Sequence, residues 1–167
     1  MQLFRPTPAM KDAFLDYQSD WETHGEPVAP GAARLGGRTY ETWLADTWAL
    51  ETKPRGSYVT GHTYFAFDGD GVLVGVIALR HTLNDYLLKA GGHIGYGVRP
   101  SARRRGHASA MLAAVLPLAA ALGLTRVLIT CDKQNIGSAR AILRNGGILE
   151  NEAEDSGRIL QRYWVAL

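Results

Sequence analysis

Along this chain the spacing of apolar residues changes period several times, and each change marks an element. Between about Pro8 and Glu22, the residues Met10, Ala13, Phe14, Tyr17 and Trp21 recur at helical intervals with Asp and Gln between them, which predicts an amphipathic helix. The Gly- and Pro-rich stretch Gly25 to Gly37 reads as a loop. Tyr40, Trp43, Leu44, Thr47, Trp48 and Leu50 predict a second helix, ended by Pro54-Arg55-Gly56. At this spacing Trp21, Tyr40, Trp43 and Trp48 are most simply core, and they also offer walls for a pocket. The period then falls to two. Thr63 to Phe67 and Val72 to Leu79 predict strands joined through Asp68-Gly69-Asp70-Gly71.

Leu83 to Ala90 reads as a short helix or ordered loop, closed by Gly91-Gly92. His93 to Val98 is the next strand, and its two glycines favour a bulge. Ala108 to Leu122 is apolar on nearly every face. This predicts a helix sandwiched between layers, kinked or broken at Pro117 and capped by Gly123. Thr125 to Cys131 is a continuous β-rich run, as expected of a strand buried on both faces. Ser138 to Asn145 predicts a helix closed by Gly146-Gly147. Ile148 to Glu152 and Ile159 to Ala166 predict a final antiparallel pair around Asp155-Ser156-Gly157. No repeat, low-complexity tract or linker interrupts this order, so residues 1–167 are expected to form one α/β domain of the α+β type on a mixed sheet.

Composition narrows the function classes. With 167 residues and 46% apolar content, the chain is long enough for a substantial core, burying about 70% of its unfolded surface. The net charge of +2 is too small for a nucleic-acid footprint. It is also uneven: residues 1–60 carry six Lys/Arg against eight Asp/Glu, a net of −2, and the remainder carries twelve against eight, a net of +4. The acidic N-terminal part weakly favours a cationic acceptor. A single cysteine, Cys131, excludes intramolecular disulfides and thiolate metal clusters, and no metal is expected. Met1-Gln2-Leu3-Phe4-Arg5-Pro6 does not read as a secretory leader and no apolar run is long enough to span a membrane, so a cytoplasmic protein without a membrane partner is expected.

The excess positive charge collects where it changes the picture most. Arg103, Arg104 and Arg105 precede Gly106, His107, Ala108 and Ser109, between a strand and an apolar helix. A helix N-terminus presents unpaired N–H groups and a partial positive charge, so it suits an anion. The glycine and alanine admit close approach, and Ser109 adds a hydroxyl. Phosphate or pyrophosphate recognition is the implied chemistry. The Gly-x-x-x-x-Gly-Lys-(Ser/Thr) pattern of nucleotide hydrolases is absent.

Arg103-x-x-Gly106-x-Ala108 resembles the (Gln/Arg)-x-x-Gly-x-(Gly/Ala) signature of the GNAT family of N-acetyltransferases. A Val-x-Pro strand end precedes it, and a strand and a helix opening at Asn135, with Ser138 three positions on and Gly146 at its end, follow. The resemblance covers about Tyr64 to the C-terminus. It implies a mostly antiparallel mixed sheet flanked by helices, in which two diverging parallel strands receive the pantetheine arm of acetyl-CoA. It further implies an acetyl-CoA-dependent N-acetyltransferase acting directly on a primary amine of a small molecule or a protein. The alternative is a non-catalytic acyl-CoA-binding or regulatory module. A homodimer is left open.

Carried over residue by residue, the resemblance places Tyr96, Val98, Arg103, Arg104, Arg105, Gly106, His107, Ala108, Ser109, Asn135 and Ser138 at the cofactor. His93 stands where relatives often carry a Glu base, and Asn135 joins it as a catalytic candidate; each also has a structural reading, as a hydrogen-bonded histidine and as an N-cap. The Gly95 and Gly97 positions suit close approach of the pantetheine. His81, Asn84 and Asp85 are either acceptor-site residues or loop fixtures. One position departs from the family: Ile142 replaces a Tyr that relatives use to return a proton to the thiolate, so either another group supplies the proton, with Tyr96 a candidate, or the thiolate leaves unprotonated.

Overall fold

A computed structural model describes all of residues 1–167. Its strands form one sheet in the order β1-β2-β3-β4-β5-β7-β6, with β1 Gln2–Phe4, β2 Gly61–Phe67, β3 Leu73–Arg80, β4 Ile94–Val98, β5 Arg126–Asp132, β6 Ile148–Asp155 and β7 Arg158–Ala166. Every neighbouring pair is antiparallel except β4 with β5. The helices are α1 Lys11–Thr23, α2 Tyr40–Leu50, α3 His107–Ala121 and α4 Ile136–Arg144. None is long and apolar enough to cross a membrane.

The sheet is covered on both faces. On one, Met111, Leu112 and Val115 of α3 and Ile142 of α4 pack on Ile77, Leu79 and Ile129. On the other, Phe14 and Tyr17 of α1 and Trp43 of α2 pack on Phe65 and Val76. Phe14 stacks between Trp43 and Phe65, with ring centroids 4.5 and 5.3 Å away. Only Arg80 escapes burial in β3, whose branched apolar side chains alternate between the two cores.

What positions the site is a divergence. β4 and β5 pair only at Ile94 and Ile129 and then part. Along β3 and β4 the register is unbroken from Leu79 opposite Ile94 to Gly75 opposite Val98. Arg80 N–H bonds His93 C=O at one end and Arg99 N–H bonds Val74 C=O at the other. Alternation between these limits turns the main chain of Gly95 and Gly97 toward β3, and that of Tyr96 and Val98 toward the gap.

Several expectations are corrected. The bulge expected in β4 is absent. Gly97 is small for another reason: a Cβ there would collide with the Ala29 carbonyl, from the loop that crosses this face. α3 runs unbroken through Pro117, and it is not sandwiched: Ala113, Pro117, Ala120 and Ala121 face solvent. Alanine tolerates exposure there because it is a strong helix former with little apolar area. The span Leu83 to Ala90 contains one π turn at Leu87–Gly91. The last hairpin is longer than expected and turns at Ser156-Gly157, both at positive φ. Trp48 is 41% exposed, outside the core, with its indole N–H on Pro6 C=O.

Candidate active site

Beyond β4 the chain makes one 3₁₀ turn, Pro100–Ala102, and enters α3 through Arg104 at φ 64° and Gly106 at φ 83°. The first bond closing the helix is Ala110 N–H to Gly106 C=O, at 3.1 Å. The N–H groups of His107, Ala108 and Ser109 are therefore unpaired, and those of Arg104, Arg105 and Gly106 find no acceptor either. Six successive donors, curved by two left-handed residues, make a concave positive surface suited to an anion. Nothing lies within 4 Å of the space above Gly106. The Arg104 and Arg105 side chains are exposed.

α1 braces this turn. Arg99, only 7% exposed, bonds Asp16 Oδ2 at 2.6 Å, and its Nε lies 3.3 Å from Asp20 Oδ2, an ion pair rather than an aligned hydrogen bond. Asp20 also accepts the N–H and hydroxyl of Ser101 at 3.1 and 3.0 Å. Burial alone would raise its carboxyl, but the donors of Ser101 and Arg99 outweigh burial and hold it below the usual range.

The gap between β4 and β5 has two walls. Toward α4, Tyr96 hydroxyl lies 2.7 Å from Ser138 Oγ, and burial pushes the phenol up to about 12. Asn135 Oδ1 accepts Ser138 N–H at 3.0 Å, capping α4 and setting the position of Ser138. Cys131, raised by burial, is held beside Ser138. Ile142 is fully buried in the core, and its side chain fills the place a Gly147 Cβ would occupy.

On the opposite face stand His93, Gly95 and Gly97. His93 is 6% exposed; its N–H bonds Leu128 C=O at 2.7 Å, and its Nδ1 accepts Leu128 N–H at 2.9 Å. Nδ1 thus has its lone pair engaged and the ring proton is on Nε2. Burial, followed by the charge of Arg80, pushes the imidazole down to about 4. Arg80 itself lies over Gly95 and donates from one nitrogen to Gly91 and Gly92 C=O, both at 3.0 Å.

Other expected residues are held elsewhere. Arg103 forms a two-pronged bond with Glu26, at 2.7 and 2.6 Å, and lies over Trp21. Its Nε reaches Val98 C=O at 3.3 Å. His107 lines a separate open depression of about 700 Å³ beside Phe4, Phe67 and Asp68. Ser109 accepts Asn145 Nδ2 at 3.2 Å, linking α3 to α4, and Ala108 packs on the core. Asn84 is a loop fixture, bonding Ser57 C=O and Leu87 N–H. His81 pairs with His62 at 2.7 Å, and Asp85 borders a shallow hollow with Leu88 and Arg162. The acids of the N-terminal part are largely spent: Asp16 and Asp20 on Arg99, Glu26 on Arg103, Asp46 on Arg38 and Arg55, Glu41 on Lys11, Glu51 on Arg5. The unforeseen residue at the gap is Arg80, whose one sequence signal is a cation ending an apolar strand.

The acetyltransferase (GNAT) domain profile matches residues 2–148. No protein of curated function matches the sequence. Among solved structures, the acetyltransferase of Salmonella typhimurium that modifies the N-terminal serine of ribosomal protein L7/L12 is similar at 17% identity, covering 99% of this chain and 94% of that one, with a TM-score of 0.69. An acetyltransferase-fold protein of the same organism, solved with its cofactor acetyl-CoA, is similar at 16% identity, 99% and 93% coverage and a TM-score of 0.66. A chimera of the Vibrio cholerae spermidine N-acetyltransferase with a second enzyme is similar at 12% identity, 99% and 96% coverage and a TM-score of 0.65. The sheet with its single parallel pair, the concave donor loop and the match over nearly the whole chain agree: this protein belongs to the GNAT family of acetyltransferases.

Proposed function

We propose that this chain is an acetyl-CoA-dependent N-acetyltransferase that acetylates a primary amine directly. The observation that carries the reading is the run of six unpaired N–H donors from Arg104 to Ser109, beside a strand whose main chain faces an open gap. The donors fit a pyrophosphate, with Arg104 and Arg105 adding charge; Arg103 contributes through its backbone and by fastening the turn to Glu26. Tyr96 and Val98 offer main-chain groups to the amides of a pantetheine arm, as an added strand would use them. Bound acetyl-CoA supplies an activated acyl group as a thioester.

The chain's own residues then orient and polarise. Main-chain donors of β4 stabilise negative charge developing on the acyl oxygen, and holding the two reactants together provides much of the acceleration. Tyr96, protonated at neutral pH and bonded to Ser138, is placed to return a proton to the leaving thiolate. Asn135 positions Ser138. His93, with Nδ1 engaged and its imidazole low, serves by tying β4 to β5 at the vertex of the gap; the amine proton leaves through water. Neighbouring structures named for protein N-terminal and polyamine acetylation support an amine acceptor without choosing its class. The acceptor is met in the cytoplasm.

Calorimetric titration with acetyl-CoA and with dephospho-CoA tests this. Wild-type binding should weaken by about tenfold or more, ~1.4 kcal/mol, in Arg104→Ala/Arg105→Ala. Thiol release with an amine panel then tests transfer. No binding by the wild type refutes the reading.

A further inference from the structure

Arg80 is a half-buried guanidinium with no counter-ion. A cation withdrawn from water is ordinarily paired with a carboxylate. Here none is within ion-pair distance, and the exposed phenol of Tyr86 is the one acidic group near it. One terminal nitrogen is held by Gly91 and Gly92 C=O, which orients the guanidinium plane. Nε and the other terminal nitrogen have no protein acceptor and are not sealed from solvent. That second nitrogen lies 3.4 Å from where a Gly95 Cβ would stand, and Pro30 Cβ is 3.7 Å from the same point. Gly95 follows directly on Ile94, the one residue where β4 and β5 still pair. Arg80 therefore presents free donors at the vertex of the gap, on the face opposite Tyr96 and Ser138.

Resting on the acetyltransferase reading, we infer that Arg80 is the carboxylate-recognition residue of the acceptor site, and that the acceptor is an α-amino acid. The free edge of the guanidinium matches a carboxylate in a planar two-bond arrangement. An anion seated there lies against the strand that bears the acyl group, so the amine to be acetylated is close to the carboxylate in the acceptor. The positive charge also disfavours the ammonium form beside it, which helps supply the neutral nucleophile that direct transfer needs. Polyamines meet the reverse situation: their remaining charges would be set against an unneutralised cation. In the free protein the two carbonyl acceptors and the solvent access of the free edge offset part of the cost of burying the guanidinium.

The test measures thiol release from acetyl-CoA with the proteinogenic L-amino acids, each beside its carboxamide, and with spermidine. Wild type, Arg80→Lys and Arg80→Gln are compared, with acetyl-CoA binding measured on each. At least one amino acid should exceed its carboxamide by tenfold or more in kcat/KM. Arg80→Gln should bring that ratio to within threefold of one, mainly through KM, and Arg80→Lys should retain part of it. The inference is overturned if no amino acid is consumed while acetyl-CoA binds, if carboxamides or spermidine are preferred, or if the ratio survives in Arg80→Gln. Equal loss of kcat for acid and amide would instead place Arg80 at the reacting carbonyl, and overturns it too. Absence of acetyl-CoA binding by the wild type refutes the acetyltransferase reading itself, and this inference with it.

Discussion

Replacing Arg99 by Met should destabilise the protein by about 3 kcal/mol, because it strips a buried carboxylate of its cation. Removing one partner of a buried pair typically costs ~3–5 kcal/mol. The lower end applies here for two structural reasons. The Asp16 side chain is 66% exposed, so its bond to Arg99 is screened and contributes little. Asp20, at 10% exposed, keeps the two donors of Ser101 and is not left bare. In a chain of this size such a loss lowers the melting temperature by roughly 6–12 °C. The pH dependence gives a sharper signature. The wild-type Asp20 carboxyl is held below its unfolded value, so its contribution is present above that value and is lost as pH falls. In the variant Arg99 no longer lowers the carboxyl, so burial is opposed by Ser101 alone, the folded carboxyl rises relative to the wild type, and it is protonated at higher pH. The gap between wild type and Arg99→Met should therefore narrow from pH 7 to pH 4. Urea unfolding followed by tryptophan fluorescence at several pH values measures this. A loss under about 1 kcal/mol, or a gap that widens in acid, would show that Arg99 is not the partner that makes burial of Asp20 tolerable.

Three further outcomes follow from the walls of the gap. Gly97→Ala sets a methyl against the Ala29 carbonyl and should cost about 1–3 kcal/mol, whereas Gly95→Ala meets only ordinary contacts and should cost less than about 1 kcal/mol; equal losses in chemical denaturation would contradict that difference. Tyr96→Phe should lower kcat by about tenfold to a hundredfold with little change in acetyl-CoA KM, since it removes the donor paired with Ser138; unchanged turnover would exclude Tyr96 as the proton source. The His93 imidazole, pushed down to about 4, should stay neutral on NMR titration to pH 5. Its folded value lies below the unfolded one near 6.5, so its contribution is complete above pH 6.5 and falls by at most about 3 kcal/mol toward pH 4. A titration midpoint near 6.5 would refute the buried Leu128 bond.

The donor loop of this molecule was legible because its features are local. A run of main-chain donors needs only a turn, a residue free to take positive φ and a helix start, and Gly106 with the following apolar helix declares all three within a few residues. Asn135 and Ser138 are read in the same way, since a cap acts over three positions. The pairing of Arg103 with Glu26 was not legible, because the two lie 77 residues apart and nothing near Arg103 reveals it. Gly97 misled for a related cause: its smallness serves the Ala29 carbonyl, from a loop that carries no periodic signal. Hydropathy failed at α3, because alanines look apolar yet face water without difficulty, and at β1, because three residues hold too little pattern. It also missed the end of β6, where exposed acids mask an edge strand.

Two of these failures, at Arg103 and Gly97, arise where β4 and the turn after it meet the segments around α1, and the reason is physical. β4 presents two sides with different surroundings. Toward the gap and α4 it offers peptide groups, whose chemistry is the same whatever the side chains, so this half of the site can be recognised from a short motif. Toward α1 and α2 it has only Gly95 and Gly97, with His93 just before them, and the shape of that face is supplied by segments outside the strand: the loop carrying Ala29 and Pro30, and Arg80 with the turn at Gly91-Gly92. Because Gly97 has no side chain, the Ala29 carbonyl lies directly on the strand, and Tyr17 of α1 holds that carbonyl in place through its hydroxyl. The N-terminal helices are thereby registered against the strand beside the gap rather than merely covering the sheet. The shape of that face is thus written in long-range packing, whereas the donor loop is written in a few consecutive residues.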